Sequence, residues 1–400
     1  MERIYFDHAA TTPLHPDVLE AMTDSMHQVF GNASSVHAFG REAKLALNQA
    51  RDRIAAQLGC QPQELVFTSG GTEGDNAAIF GAAWSAWLKQ SSETPAQQGS
   101  SGDTSARKPH IVTTQLEHHA VLHACERLEQ LGFEVTYVAP DQMGRVSVEA
   151  IETALRPHTC LISVMFGNNE VGTLQPIEEI GRLARKRGIL MHTDAVQVLG
   201  HLKLELHELP VDFASFSAHK INGPKGVGVL YARAGVHWDP LLYGGSQERK
   251  RRAGTENAAG IAGMAKAMEI ANGSLPAKLE ELAQVRSTLW TKLSAALGDR
   301  LVMNGHPTEH LPHILNVSFL DVPTETMLMN LDLAGIMASS GSACTSGSLE
   351  LSHVLEAMDL PDERKRTAVR FSFGLGNTRE EAACAAQQIA TIVSRVRTRQ

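Results

Sequence analysis

The chain has 400 residues, a formal charge of −8 and 43% hydrophobic residues, enough for a large buried core and for about two or three domains. The acidic balance argues against a nucleic-acid surface, which carries a basic excess. Five widely spaced cysteines (Cys60, Cys125, Cys160, Cys344 and Cys384) with no CxxC pair argue against a disulfide framework or a structural zinc site, and fit a reducing cytosol.

The opening MERIYFDHAATTPLHPD has no apolar run of signal-peptide length, and no stretch approaches the roughly 20 apolar residues that span a bilayer. ELVFTS, residues 64–69, reads as a strand, and TEGDNAAIFGAAWSAWL as the helix after it. Residues 89–109 are polar, rich in Ser, Gly and Pro and without apolar periodicity, and read as a long exposed loop. HIVTT (110–114) precedes a helix around HAVLHACERLEQLG. FEVTYV, CLISVMF, GILMHTD, FASFS and GVGVLYA then follow as short buried strands, some separated by helical segments such as PIEEIGRLARKRG. This alternation predicts an α/β fold with a mostly parallel sheet covered on both faces. After about residue 258 the texture changes to long helices, the strands HILNVSF and AVRFSFG, and a final helix, TREEAACAAQQIATIVSRVR. A smaller α+β domain is expected there. The division is a large domain over 16–258 and a small one built from 1–15 and 259–400.

Several strings along this chain suit chemistry. In TSGGTEGDN (68–76) a strand ends, two glycines turn the chain and a helix opens at Thr72. Such a start attracts a phosphate, although an ordinary glycine turn with a Thr cap reads the same way. In LEHHAVLH (116–123), His119 and His123 lie four apart, but a zinc site needs a third ligand and none stands at recognisable spacing. His118 is placed to stack on a flat ring. Asp194, in HTDAVQ, ends a buried strand. It either caps a helix or pairs with a cation such as a protonated pyridine nitrogen. Lys220, in SFSAHKINGPKG, is either a surface charge or the amine that binds a carbonyl cofactor. SAHK also fits S-x-x-K, but the partner strings SDN and KTG are absent. GGSQERKRRAGTEN (244–257) holds four basic residues from Arg249 to Arg252, a solvated face or a phosphate-touching loop. Arg370 stands inside the apolar strand VRFSFG and needs an anion, either a structural carboxylate or a substrate's. MASSGSACTSGSLE (337–350) sets Cys344 between Gly341 and Gly347 among serines and threonines, the composition of a mobile loop.

Taken in order, YFDHAATTP, GNASSVHAFGR, FTSGGTEGDNAAI, LEHHAVL, GNNEVGTLQPI, HTDAVQ, SFSAHKINGPKG, RRAGTEN, SSGSACTSGS and VRFSFG resemble one family from residue 4 to about 380. It is the class I cysteine desulfurases, the NifS/IscS-like members of the fold-type I pyridoxal-phosphate enzymes. SSGSACTS separates this group from related aminotransferases. The resemblance implies a seven-stranded, mostly parallel sheet in a large cofactor-binding domain, with the mobile cysteine loop on the small one. It implies that Lys220 holds pyridoxal 5'-phosphate covalently, Asp194 pairs with the ring nitrogen, Gln197 contacts the ring hydroxyl oxygen and His118 stacks on the ring. Gly71, Thr72, Ser217 and His219 would hold the phosphate, and Thr255 would reach it from the neighbouring subunit of a homodimer. Asn169 and Arg370 would bind L-cysteine. Cys344 would take its sulfur as a persulfide, leaving L-alanine, and pass it to an iron–sulfur scaffold or another acceptor protein. No resident metal, nucleic acid or membrane is expected, and the location implied is cytoplasmic. Sulfur supply for tRNA thiolation is the alternative destination. Selenocysteine lyase or aminotransferase activity, and a colourless sulfur-carrier scaffold, are the alternative functions. Several strings depart from the family's usual form: GNASS for GNPSS, SGGTEG for SGATES, SLELSH without its proline, GLGNTREE without an arginine, and the longer 89–109 segment.

Overall fold

The computed structural model describes residues 3–93, 108–341 and 351–398. A short strand β1 (Ile4–Tyr5) leads to helices α1 (Pro16–Gln28) and α2 (Ala38–Leu58). Next come β2 (Leu65–Thr68), α3 (Gly71–Glu93), β3 (His110–Thr114), α4 (His119–Gln130), β4 (Glu134–Val138), α5 (Val148–Ala154) and β5 (Thr159–Ser163). They are followed by α6 (Ile177–Arg187), β6 (Leu190–Asp194), β7 (Phe213–Ser217) and β8 (Gly228–Ala232). The remainder is α7 (Ala258–Gly273), α8 (Leu275–Leu297), β9 (Leu301–Asn304), β10 (Ile314–Phe319), α9 (Thr324–Leu333), β11 (Ile336–Met337), α10 (His353–Ala357), α11 (Asp362–Arg366), β12 (Ala368–Ser372) and α12 (Arg379–Arg397).

Strands β2, β3, β7 and β8 are buried at every position, which is why they read as unbroken apolar runs rather than alternating ones. They belong to a seven-stranded sheet of order β2-β8-β7-β6-β5-β3-β4. Only β8 runs against the rest, pairing antiparallel with both β2 and β7. The carboxyl ends of β2, β6 and β7 therefore meet at one edge, where ligands of open α/β sheets bind. β5 stops at Ser163, short of the CLISVMF run, but Val164 and Phe166 still donate to the carbonyls of His192 and Asp194. One expectation is corrected here. Helix α3 runs to Glu93, so residues 89–93 are not loop. Ser91 and Ser92 donate back to the carbonyls of Trp87 and Lys89, which lets polar residues continue the helix. Residues 94–107 lie outside the described residues.

The second sheet, β12-β10-β9, is antiparallel, and β1 pairs with β11 beside it. Phe6, Leu289, Val317, Phe319, Phe371 and Ile389 form a separate core under α8 and α12. Helix α7 packs instead on α1 and α2, its Ile261, Met264 and Met268 buried in the large-sheet core with Val18, Leu47 and Ile54. A small residue allows the approach to α1: a Cβ on Gly263 would lie 2.6 Å from Met22 Cγ. Packing therefore changes at the α7–α8 turn, later than the change of texture near residue 258. Among the described residues no helix is long and apolar enough to cross a membrane.

Candidate active site

A cavity of about 370 Å³ opens at the carboxyl ends of β2, β6 and β7. Ten predicted residues line it: Gly71, Thr72, His118, Asn169, Asp194, Gln197, Ser217, His219, Lys220 and Arg370. Thr255 does not line it and is exposed. Cys344 lies outside the described residues.

The first wall is the turn from β2 into α3. The helix opens at Gly71, one residue before the expected Thr72, and its first-turn N–H groups have no intrahelical acceptor. They and the helix dipole suit an anion. The turn sits close to its neighbours. A Cβ on Gly228 would lie 2.6 Å from Gly70 Cα, and one on Gly71 would lie 2.6 Å from Val196 Cγ2. Glu73 braces the turn, accepting from Ser69 N at 2.8 Å and from Arg252 Nε at 2.8 Å. Burial pushes its carboxyl up, but Arg252 and Ser69 more than reverse this and leave it below its ordinary value. Across the cavity, His219 sits 3.1 Å from Thr11 Oγ1. Burial, then Lys220 and Lys225, push it down to about 4, so it is neutral at pH 7.

The floor is acidic. Asp194 ends β6 and accepts from Val196 N at 2.9 Å in a turn, so the helix-cap reading of this residue is replaced by a turn. Burial, then the charge of Asp75, push its carboxyl up to about 7. Burial does the same to Asp75, to about 7, and to Glu117, to about 8. His192 lies beside Asp75, its Nε2 3.4 Å from Oδ1, with Ser163 Oγ at 2.8 Å and Ser215 Oγ at 3.1 Å, and burial lowers it to about 4. A cation against Asp194, such as a protonated ring nitrogen, would reverse the shift. Sequence reasoning missed Asp75 and Glu117. Asp75 reads as an ordinary helix acid, and nothing in its spacing says that α3 turns it inward. Glu117 accepts from Thr114 Oγ1 at 2.7 Å and Met165 N at 2.9 Å, partners too scattered in sequence to signal a site.

Lys220 follows β7 in a half-buried single turn, so it is not a surface charge. Its Nζ donates to the carbonyls of Ala9 at 2.5 Å and Ala10 at 2.8 Å. Gln197 Nε2 donates to the same Ala9 carbonyl at 3.0 Å. His118 both caps α4, its Nδ1 accepting from Ala120 N at 3.1 Å, and lines the cavity. Burial, then the charge of Lys220, lower it to about 4, so the ring is neutral and apt for stacking.

Arg370 meets a structural carboxylate, one of the two readings offered for it. Its Nη2 is 2.8 Å from Asp7 Oδ1, and its Nη1 donates to Asn169 O at 2.9 Å. Its Nε is buried without a hydrogen-bond partner among the described residues, which leaves a donor for a second anion. Next to it, Glu170 is fully buried, and burial raises its carboxyl. It accepts from Ser352 Oγ at 2.5 Å, and a Cβ on Gly341 would lie 2.4 Å from its Oε2.

The segment carrying Thr255 is held tightly. Glu248, Arg249 and Lys250 have φ of 45°, 58° and 65°, three consecutive side chains in a region that costs roughly 1–2 kcal/mol each. Glu248 is buried and accepts from Arg51 Nη1 at 3.0 Å, from Arg51 Nη2, and from Phe67 N at 3.0 Å. Arg51 also donates to Leu65 O at 2.8 Å. The pair thus satisfies the outer edge of β2, the last strand of its sheet, where backbone groups would otherwise be unpaired. Of the basic run itself, Arg252 is spent on the Glu73 carboxylate and Arg249 donates to Gln63 O at 3.3 Å. His119 stacks on His123 with centroids 4.9 Å apart, and His353 Nε2 lies 2.9 Å from Glu117 O. Among the described residues no three His, Cys, Asp or Glu gather as a metal site.

The sequence model of the class-V aminotransferase family, described as "Aminotransferase class-V", matches residues 4–383. The chain belongs to that family. Among its relatives, "Cysteine desulfurase IscS" of Dictyoglomus turgidum is 44% identical, over 99% of this chain and 95% of its own. A solved "NIFS-LIKE PROTEIN" superimposes with a TM-score of 0.85 at 39% identity, covering 98% of this chain and 99% of its own. Another, "SspA in complex with cysteine", has a TM-score of 0.79 at 34% identity, covering 92% and 98%. Class-V members depend on pyridoxal phosphate, and the cavity fits that cofactor. The first turn of α3, which suits an anion, buried Asp194, which makes no ion pair among the described residues, and the Lys220 amine line the same cavity.

Proposed function

We propose that the chain is a pyridoxal-phosphate-dependent cysteine desulfurase that converts L-cysteine to L-alanine and takes the sulfur onto Cys344. The observation that carries this is the meeting, in one cavity, of Lys220, buried Asp194, His118, the start of α3 and the unsatisfied Nε of Arg370. When bound, pyridoxal phosphate supplies an electron sink for the pair left at the substrate Cα. Asp194 holds a proton on the ring nitrogen, His118 walls one ring face, and Gln197 meets the ring oxygen. The first turn of α3, with Ser217 and His219, holds the phosphate. Lys220 Nζ, once off the carbonyls of Ala9 and Ala10, accepts the Cα proton as general base. Arg370 and Asn169 hold the substrate carboxylate.

The Cys344 thiolate then attacks the substrate sulfur. The Cβ–S bond breaks, an S–S bond forms, and Cβ ends with a third hydrogen, so cysteine plus thiol becomes alanine plus persulfide. The other cysteines support this by elimination. Cys60, Cys125, Cys160 and Cys384 do not line the cavity, and burial pushes Cys60 and Cys160 up to about 12, far from a reactive thiolate. The relatives named IscS favour an iron–sulfur scaffold as acceptor over tRNA thiolation. The likeness to SspA, solved with cysteine, supports the substrate. A cytoplasmic homodimer completes the reading, with Thr255 of each subunit finishing the other's phosphate site. The exposed Leu19, Met26, Phe30, Val36, Phe39 and Leu45 around α1 and α2 supply an apolar face for it.

The test supplies L-cysteine without a keto acid and assays alanine and sulfide. Cys344→Ser should keep the cofactor's visible band and stop sulfide release, and Lys220→Ala should lose the band. Parent-rate turnover by Cys344→Ser refutes the shuttle, and a need for stoichiometric keto acid makes the chain an aminotransferase.

A further inference from the structure

The segment leading to Thr255 is fastened at two points to the cofactor cradle of its own subunit. At one, Glu248 accepts both guanidinium ends of Arg51 and the Phe67 N–H of β2. At the other, Arg252 reaches Glu73 through Nε at 2.8 Å and Nη2 at 3.2 Å, while the same Glu73 holds Ser69 N at 2.8 Å. Between them run the left-handed residues 248–250, a conformation that lasts only where neighbours over-determine it. Yet the order so created does not serve the subunit's own cavity, since Thr255 is exposed and does not line it.

We propose that Glu73, Arg252, Glu248 and Arg51 are positioning residues for the neighbouring subunit's cofactor site. They set the 248–254 segment on a fixed base, so that Thr255 projects from it in one orientation. This rests on the reading that Thr255 completes the other subunit's phosphate site. Glu73 has a double duty on this view: one carboxylate steadies the phosphate turn of its own subunit and the loop offered to the other.

Mixed dimers separate these duties. One chain carries Lys220→Ala, which cannot fix the cofactor, with or without Glu73→Gln; the other is wild type. Borohydride reduction then fixes cofactor only to the wild-type Lys220, and mass spectrometry of that chain against pyridoxal-phosphate concentration gives its half-saturation. Glu73→Gln in the disabled chain should raise this value roughly tenfold, the effect of one charge-assisted hydrogen bond. Arg252→Gln in the same chain should do the same, and covers the case in which Glu73→Gln impairs folding. Sedimentation confirms that the dimer is intact. An unchanged half-saturation in an intact dimer overturns the proposal. A wild-type chain that stays monomeric and still binds cofactor fully overturns the underlying reading of Thr255, a distinguishable result.

Discussion

Asp194→Asn should make the cofactor-free protein more stable while weakening its hold on the cofactor. Burial and Asp75 move the Asp194 carboxyl from 3.8 to about 7 in the folded chain. The folded value lies above the unfolded one, so ionisation favours unfolding. The penalty is absent below pH 3.8, grows as pH rises to about 7, and is constant above that. At 1.36 kcal/mol per pH unit it reaches on the order of 4 kcal/mol. Asparagine is neutral in both states and still accepts from Val196 N, so most of this cost is removed. Thermal unfolding of the cofactor-free variant and parent should show a gain of several degrees at pH 8 that vanishes near pH 4. No gain at pH 8, or an equal gain at both values, would refute the argument that this carboxylate is held uncompensated for a cationic ring. With cofactor present the order reverses, because the variant has no anion for the ring nitrogen.

Gly71→Ala sets a Cβ 2.6 Å from Val196 Cγ2; cofactor titration should show severalfold weaker binding, restored by Val196→Ala in the same chain. Arg51→Met leaves Glu248 buried and unpaired, and should lower stability by about 3–5 kcal/mol in denaturant unfolding. Arg370→Gln should raise KM for L-cysteine roughly 10- to 100-fold, from lost charge-assisted bonds, with the cofactor band unchanged.

The large sheet was readable because most of its strands are buried on both faces. HIVTT and FASFS coincide with β3 and β7, and the chemistry-bearing strings fall at the strand ends that the alternation implies. Other features depended on contacts distant in sequence. The Asp7–Arg370 pair joins residues 363 apart, and only the fold could show that Arg370 keeps a free Nε beside it. Asp75 and Glu117 are polar letters in polar strings; the fold alone buries them, Asp75 in the cavity lining and Glu117 behind it. Helix α7 reads as a long helical pattern like α8, but it packs on α1 and α2, with Gly263 against Met22 of α1. The serines ending α3 looked like loop because their hydroxyls' helical acceptors are not visible in a composition.

The carbonyls that receive the Lys220 amine belong to Ala9 and Ala10, and Ala9 N is in turn tied to Ser372 Oγ at 2.8 Å. Ala9 and that anchor lie 363 positions apart in the sequence. The two carbonyls that seat the lysine are therefore made before it, and the side chain that fixes Ala9 only after it. The seat of that amine is thus fixed in part from β12, at the far end of the family-matched sequence.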